Sequence, residues 1–188
     1  MNTWKVMAGR QSVSDWIIEY LEDQGVTHVF TVSGGGSIWL CDALARAKRM
    51  KYVACHHEQA AGYAAEGYSR ATNSPAFCLV TSGPGGTNAV SPVAAAWLDG
   101  IPVIFISGQA FFKHTITGKE GLRQLGVQEI NIIDIVKPIT KYARMIGPLT
   151  DIRGEMIQYL ETAWSIMMTD RKGPVWLDIP GDIQNAHI

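Results

Sequence analysis

One carboxylate, Glu58, occupies a position in the sequence that suits a proton-transferring group. The apolar run Tyr52–Cys55 predicts a strand, and Ala60, Ala61 and Gly62 open a helix of small residues behind it. A helix N-terminus favours the charged form of a carboxyl group, whereas an apolar cleft favours its neutral form. The small neighbours leave room for a flat ligand, so Glu58 is a candidate for proton exchange with one. A helix-capping or surface glutamate is the alternative interpretation from position alone.

A glycine-rich turn follows the next apolar run. Residues Ala76–Val80 predict a strand, and Ser82–Asn88 form a turn that enters a helix. Backbone N–H groups in such a turn can bind an anion, but the lysine of a P-loop and the spacing of a dinucleotide-binding fingerprint are both absent from it. A third unusual turn, Ser33–Ser37, follows the predicted strand 28–32. Each turn alone is a weak signal, whereas three successive strand ends with such turns indicate a ligand site.

Strands alternate with helices along the whole chain, which predicts a parallel sheet with helices on both faces. We therefore expect a single domain over residues 1–188 with a doubly wound, three-layer α/β/α fold. The six predicted strands cover residues 28–32, 51–55, 76–80, 101–107, 140–145 and 175–179. The predicted helices cover 12–24, 38–47, 59–71, 87–98, 129–135 and 151–168. Since open α/β sheets bind ligands at the carboxyl edge of their strands, the three turns should lie together there.

Residues 111–129 interrupt this alternation. They include several charged residues and three glycines, without helical or strand periodicity. We interpret the segment as a long connecting loop, and loops of this length are usually functional or mobile.

Composition excludes several classes of function. A net charge of −1 without a basic patch argues against nucleic-acid binding, and no apolar run approaches the roughly 20 residues of a membrane helix. Met1–Lys5 has no apolar signal region, and the three cysteines have no metal-like spacing, so we expect a reduced, cytoplasmic protein.

Two further kinds of chemistry find no support in the motifs. A zinc-binding helix that begins at His57-Glu58 needs a second histidine at position 61, which is alanine. No Gly-x-Ser-x-Gly nucleophile elbow occurs either. No metal ligands are therefore predicted.

Six stretches of the chain form a recognisable combination: His57–Ala61, Ala65–Arg70, Thr81–Asn88, Asp99–Pro102, Ile106–Gln109 and Gly173–Pro180. Together they resemble the N-terminal, pyrimidine-binding (PYR) domain of thiamine-diphosphate enzymes of the acetohydroxyacid (acetolactate) synthase group. The resemblance covers nearly the whole chain and implies the thiamine-diphosphate-binding fold.

The resemblance also implies a cofactor, a reaction and a set of site residues. Glu58 matches the glutamate that hydrogen-bonds N1′ of the aminopyrimidine and is the implied catalytic residue. The implied reaction is decarboxylation of a 2-keto acid such as pyruvate, with transfer of the acyl unit to a carbonyl. The other implied cofactor-binding residues are Gly34, Gly35, Pro84, Asn88 and Gln128.

The chain departs from the family pattern at several points. Ser33 stands where the family has proline, and Val127 stands where phenylalanine is common, which leaves the substrate open. The diphosphate-binding motif Gly-Asp-Gly has no counterpart, because Ile183 follows Gly181-Asp182. We expect the central and diphosphate-binding domains to be absent from this chain. Mg²⁺ would then be bound mainly by a diphosphate-binding subunit or domain, within a homo- or hetero-oligomer, and this chain alone would be inactive.

Two alternatives stay open from the sequence. The first is a non-catalytic regulatory or assembly module that retains the fold, which the serine at position 33 and the absent second half favour. The second is an ordinary nucleotide-binding α/β domain.

Overall fold

Six strands form the centre of the molecule in the computed structural model, which describes residues 11–188. They are β1 (His28–Thr31), β2 (Lys51–Ala54), β3 (Ala76–Val80), β4 (Val103–Gln109), β5 (Tyr142–Met145) and β6 (Val175–Pro180). All pair in parallel, in the order β2-β1-β3-β4-β6-β5. The predicted α/β fold is confirmed. The segment Met1–Lys5, on which the localisation prediction rests, lies outside the described residues.

Helices cover both faces of the sheet. They are α1 (Val13–Asp23), α2 (Ile38–Arg46), α3 (Glu58–Thr72), α4 (Pro84–Asn88), α5 (Val90–Asp99), α6 (Ile132–Val136), α7 (Ile152–Met168) and α8 (Gly181–Gln184). One hydrophobic core joins the sheet to α1, α2 and α7, and the other joins it to α3, α5 and α6. The result is the predicted three-layer α/β/α arrangement.

The central strands β3, β4 and β6 are buried along their whole length. In β4, Ile104 packs into one core and Phe105 into the other, where its ring stacks on Trp176 at 5.4 Å between centroids. A strand covered on both faces favours apolar residues at successive positions, which explains the apolar runs 76–80 and 103–106, while the polar Ser107 and Gln109 lie at the carboxyl end of β4. The edge strand β2 is exposed at all four residues.

The first helix begins where its sequence predicts. The Ser12 hydroxyl accepts the Asp15 N–H at 3.1 Å, and the Asp15 carboxylate accepts the Ser12 N–H at 3.3 Å, which completes a capping box. After this helix, Gly25 adopts a φ of +87° that favours glycine.

The predicted helix 87–98 is wrong in two respects. It begins earlier, at Pro84, because proline fits the first turn of a helix. It is also divided into α4 and α5, since Pro92 has no N–H to donate to the Asn88 carbonyl. Two smaller differences are that β4 begins at Val103, after Pro102, and that α6 begins at Ile132 rather than at residue 129.

In the part of the chain that the structure describes, no helix combines the length and the apolar character needed to cross a membrane.

Candidate functional site

Glu58 is the first residue of α3, and its position rules out the two simpler roles considered for it. His57 caps the helix, since its Nδ1 accepts the Gln59 N–H at 3.2 Å. The Glu58 residue is only 9% exposed, so it is not a surface glutamate. A buried carboxyl group at a helix N-terminus that is not needed as a cap is available to a ligand.

Asn88 holds one oxygen of this carboxyl group. Its Nδ2 donates to Glu58 Oε2 at 2.9 Å, which links the last residue of α4 to the first residue of α3. Glu58 Oε1 has no hydrogen-bond partner among residues 11–188. The carboxyl group is therefore oriented through one oxygen and offers the other.

The turn between β3 and α4 depends on its glycines. Gly83 has a φ of +58°, and a Cβ there would lie 2.4 Å from the backbone oxygen of Gln128. A Cβ at Gly85 would lie 2.7 Å from Thr81 Cγ2 and 3.5 Å from Glu58 Oε1. The small residues of this turn thus let two other segments approach it, and one of them carries the candidate carboxylate.

The turn after β1 packs directly against the turn after β3. The Gly36 N–H donates to Thr81 Oγ1 at 3.0 Å, and a Cβ at Gly34 would lie 2.5 Å from the Thr81 side chain. At Gly35 a Cβ would meet nothing within 4 Å, so this residue faces open space. The predicted meeting of the three strand-end turns at one edge of the sheet is confirmed.

A cavity of about 600 Å³ lies beside these turns. Two of the predicted residues, Gly35 and Gln128, line it, whereas Gly34, Glu58, Pro84 and Asn88 lie outside its lining. The residues lining the cavity are Gly35, Gly36, Trp39, Ser82, Gln109, Ala110, Phe111, His114, Leu125, Gly126, Val127 and Gln128.

The aromatic part of this wall was not predicted from the sequence. The Trp39 and Phe111 rings lie 5.8 Å apart, and Phe111 stacks on His114 at 6.2 Å between centroids. Trp39 follows the first glycine turn and Phe111 follows the end of β4. Their position shortly after a strand end is the sequence signal that could have pointed to them. That signal is weak, because an aromatic residue at such a position also fits ordinary packing.

A buried acid lies behind the cavity, on β6. Asp178 is 1% exposed, and its two oxygens accept hydrogen bonds from Ser107 Oγ at 2.6 Å and from Gln109 Nε2 at 3.0 Å. Burial raises the pKa of Asp178 to about 7, against the opposing effect of these two hydrogen bonds, and the negative charge of Glu129 adds to the increase. Asp178 was not predicted from the sequence as a site residue.

Comparison with known proteins agrees with this geometry. Residues 11–135 match the family model described as "Thiamine pyrophosphate enzyme, N-terminal TPP binding domain", and the chain belongs to this family. The family resemblance predicted from the sequence is therefore confirmed.

Acetolactate synthases are among the curated relatives of this chain. The chain is 36% identical over 173 residues to acetolactate synthase isozyme 1 large subunit of Escherichia coli (strain K12), covering 92% of this chain and 29% of the relative. It is 39% identical over 171 residues to acetolactate synthase 2, chloroplastic, of Nicotiana tabacum, covering 91% and 24%. It is 38% identical over 172 residues to the acetolactate synthase large subunit of Corynebacterium glutamicum, covering 92% and 26%. The chain thus spans less than a third of the length of each relative.

Proposed function

We propose that this chain supplies the pyrimidine-binding half of a thiamine-diphosphate-dependent carboligase of the acetolactate synthase type. The observation that carries the proposal is the Glu58 carboxyl group, which is buried, held through Oε2 by Asn88, and without a hydrogen-bond partner at Oε1 among residues 11–188. An oriented carboxyl group with one free oxygen suits exchange of a hydrogen bond and a proton with a ring nitrogen. The family membership supports thiamine diphosphate as the ligand that brings this ring.

The residues present fit a flat heteroaromatic ring. Glu58 Oε1, which no described residue hydrogen-bonds, can bind the ring nitrogen, and Asn88 keeps the carboxyl group in that orientation. Gly34, Gly35 and Pro84 belong to the two adjoining turns, and the open space at Gly35 lets a ring approach the backbone. We assign Gln128, on the cavity wall, to the end of the site where the substrate meets the cofactor. When bound, thiamine diphosphate supplies a nucleophilic carbon, and the protein supplies orientation and the proton path.

The proposed substrate is a 2-keto acid of the pyruvate type, followed by a second carbonyl compound as acyl acceptor. The printed names of the relatives, acetolactate synthases, support this reaction class of lyase and transferase chemistry. The cavity of about 600 Å³ next to the turns offers space for these carbonyl compounds.

We further propose that a second half of the site binds the diphosphate and Mg²⁺. Each relative extends over a length more than three times that of this chain, which leaves room for such a domain. Ile183 follows Gly181-Asp182 where the diphosphate motif has glycine, and Asp182 Oδ1 accepts the Phe112 N–H at 2.9 Å. The partner is a diphosphate-binding domain or subunit within an oligomer, and the 188-residue chain alone is proposed to be inactive. The three unpaired cysteines suit a reducing compartment, and we propose the cytoplasm.

The test uses the chain together with its diphosphate-binding domain or subunit, called here the completed enzyme, with thiamine diphosphate and Mg²⁺, and compares the wild type with Glu58→Gln. We expect Glu58→Gln to reduce pyruvate decarboxylation by about a hundredfold or more, since general acid–base groups contribute factors of this size. Glu66→Gln is the matched control, because Glu66 lies on the same helix, is 7% exposed and pairs with Arg70 away from the site. Decarboxylation at the wild-type rate in Glu58→Gln would contradict the role of Glu58. A complete protein that binds no thiamine diphosphate would instead support the non-catalytic module.

A further inference from the structure

The side chain of Gln109 joins the two ends of a loop that forms much of the cavity wall. This loop, residues 110–131, connects β4 to α6 and is called here the wall loop. Gln109 Oε1 accepts the N–H of Ala110 at 3.0 Å, and Gln109 Nε2 donates to the carbonyl of Ile130 at 3.0 Å. One amide, itself only 3% exposed, thus holds the first and the penultimate residues of the wall loop.

Asp178 determines the orientation of this amide. The second N–H of Gln109 Nε2 donates to Asp178 Oδ2 at 3.0 Å, and the other carboxylate oxygen accepts from the Ser107 hydroxyl at 2.6 Å. That hydroxyl accepts the indole N–H of Trp176 at 2.8 Å. Since an indole N–H only donates, Ser107 Oγ accepts from Trp176, and in the ionised form of Asp178 both carboxylate oxygens accept, one from the Ser107 hydroxyl and the other from Gln109. Reversing the Gln109 amide would place its oxygen against that carboxylate.

The far end of the wall loop is fixed against the turn that leads to Asn88. Gln128 lies two residues before Ile130 and has a φ of +53°, unusual for a residue with a side chain. Its backbone oxygen occupies the space in which Gly83 has no Cβ. The carboxylate of Glu129 accepts the N–H groups of Leu125 and Gly126 at 2.9 and 3.0 Å, which tightens the same end internally.

We propose that Gln109 and Asp178 are positioning residues that act through the wall loop to place Gln128 relative to Glu58. The hydrogen bonds by which Gln109 links Ala110 to Ile130 are called here the clamp. The effect of the clamp on catalysis rests on the proposed function, whereas the clamp itself is a property of this chain. A displacement of about 1 Å in a substrate-positioning group can cost two orders of magnitude in rate. The buried polar triad of Ser107, Gln109 and Asp178 is fully hydrogen-bonded, as a specifying network must be.

The experiment measures amide hydrogen exchange and steady-state kinetics of Gln109→Met in the completed enzyme. Methionine keeps the length of the side chain and removes its hydrogen bonds. We expect the rate of amide hydrogen exchange in residues 112–129 to rise by about tenfold or more. The free energy of one net hydrogen bond corresponds to about a tenfold change in the equilibrium constant for local opening. We expect kcat to fall about tenfold or more while the Kd for thiamine diphosphate changes less than about threefold.

Ser14→Ala is the matched control. Ser14 is fully buried and its hydroxyl donates to the Gln184 carbonyl at 2.9 Å, so this variant loses a buried hydrogen bond outside the wall loop. It should leave exchange in residues 112–129 and kcat unchanged. Should Gln109→Met fail to fold, Gln109→Asn replaces it, because the shorter amide cannot reach both Asp178 and Ile130 and gives the same expected pattern.

Two outcomes would overturn the inference: exchange in residues 112–129 equal to that of Ser14→Ala, or a loosened loop with an unchanged kcat. Asp178→Asn should preserve the clamp, because asparagine retains one acceptor for Gln109. We expect amide hydrogen exchange in residues 112–129 of this variant to stay within about threefold of the wild type. Asp178→Leu has no acceptor for Gln109 and should exchange as fast as Gln109→Met, so exchange at the wild-type rate in Asp178→Leu would contradict the orienting role of Asp178. The proposed function can fail independently of this inference. In that case decarboxylation would not depend on Glu58, while the expected pattern of amide hydrogen exchange would still be observed.

Discussion

The Asn88 amide donates to Glu58 Oε2 across 2.9 Å and thereby ties the ends of two helices that follow different strands. Glu58 belongs to the helix after β2, and Asn88 belongs to the helix after β3. In the sheet these two strands are separated by β1, so the hydrogen bond spans the strand between them. The turn after β1 lies between these two helix ends and joins them, because the Gly36 N–H donates to Thr81 Oγ1 at the end of β3.

Asn88→Ala should weaken the site without unfolding the domain. The substitution removes the only hydrogen bond that the described residues make to the Glu58 carboxyl group. A hydrogen bond to a charged group contributes about 1.5–3 kcal/mol, so we expect the Kd for thiamine diphosphate to rise by about tenfold or more. Quenching of tryptophan fluorescence during titration of the completed enzyme measures this change. An unchanged Kd and an unchanged decarboxylation rate would show that Asn88 does not orient Glu58.

Gly83→Ala and Gly67→Ala should change stability in opposite directions. At Gly83 a methyl group meets the Gln128 oxygen at 2.4 Å and the φ of +58° disfavours it, so a loss of about 2 kcal/mol or more in the free energy of unfolding is expected. At Gly67, inside α3, a methyl group meets nothing within 4 Å, and alanine should stabilise the helix by up to about 1 kcal/mol. Urea denaturation of both variants tests the pair. A neutral Gly83→Ala would mean that the wall loop moves away from this turn at little cost.

The strands and the site edge were predictable because local pattern determines them. Buried β3 and the first four residues of β4 are continuous apolar runs, so these strands are visible in the sequence without knowledge of their neighbours. Once the sheet is parallel, its strand ends must share an edge, which is how Glu58 and Asn88 could be expected near each other. The capping role of His57 was not predictable, because either residue at the strand–helix junction can take it.

The clamp behind the cavity could not be predicted, since it depends on the order of strands in the sheet. Gln109 and Asp178 are 69 residues apart in the chain and meet only because β4 and β6 are neighbours. Strand order is set by the packing of the whole domain and leaves no local signal. The wall loop has no periodicity either, so its closure by Gln109 appears only in three dimensions.

Trp39→Ala should raise the KM for the keto acid more than it raises the Kd for thiamine diphosphate. The indole lines the cavity, lies 5.8 Å from the Phe111 ring, and occupies space next to Gly181. Its removal widens the cavity and should cost about 1–3 kcal/mol of stability. We expect the KM for the keto acid to rise by about tenfold while the Kd for thiamine diphosphate stays within about threefold. Ile38→Ala, at the neighbouring exposed position, is the control. Equal effects on KM in both variants would contradict a role for the Trp39 ring.

The charge state of Asp178 should make stability depend on pH in a defined direction. Its pKa is raised to about 7 in the folded protein from an ordinary value of 3.8. Between these values the folded chain retains a proton that the unfolded chain releases, so stability falls as pH rises, by about 1.4 kcal/mol per pH unit. Above the folded pKa both states are deprotonated and this contribution becomes constant. The groups facing the carboxylate are Ser107 and Gln109 on β4 and the charged Glu129 on the wall loop.

Asp178→Asn removes this titration and leaves the rest of the domain in place. The difference in unfolding free energy between the wild type and Asp178→Asn should therefore decline from pH 5 to about pH 7 and stay level above about pH 8. Glu129→Gln removes the nearby negative charge, which lowers the pKa of Asp178. The unfolding free energy of this variant should therefore stop declining with pH at a lower pH than that of the wild type. Urea denaturation at half-unit pH steps measures all three proteins. A difference that stays constant from pH 5 to pH 8 would mean that Asp178 remains charged throughout, stabilised by Ser107 and Gln109 more than burial disfavours it.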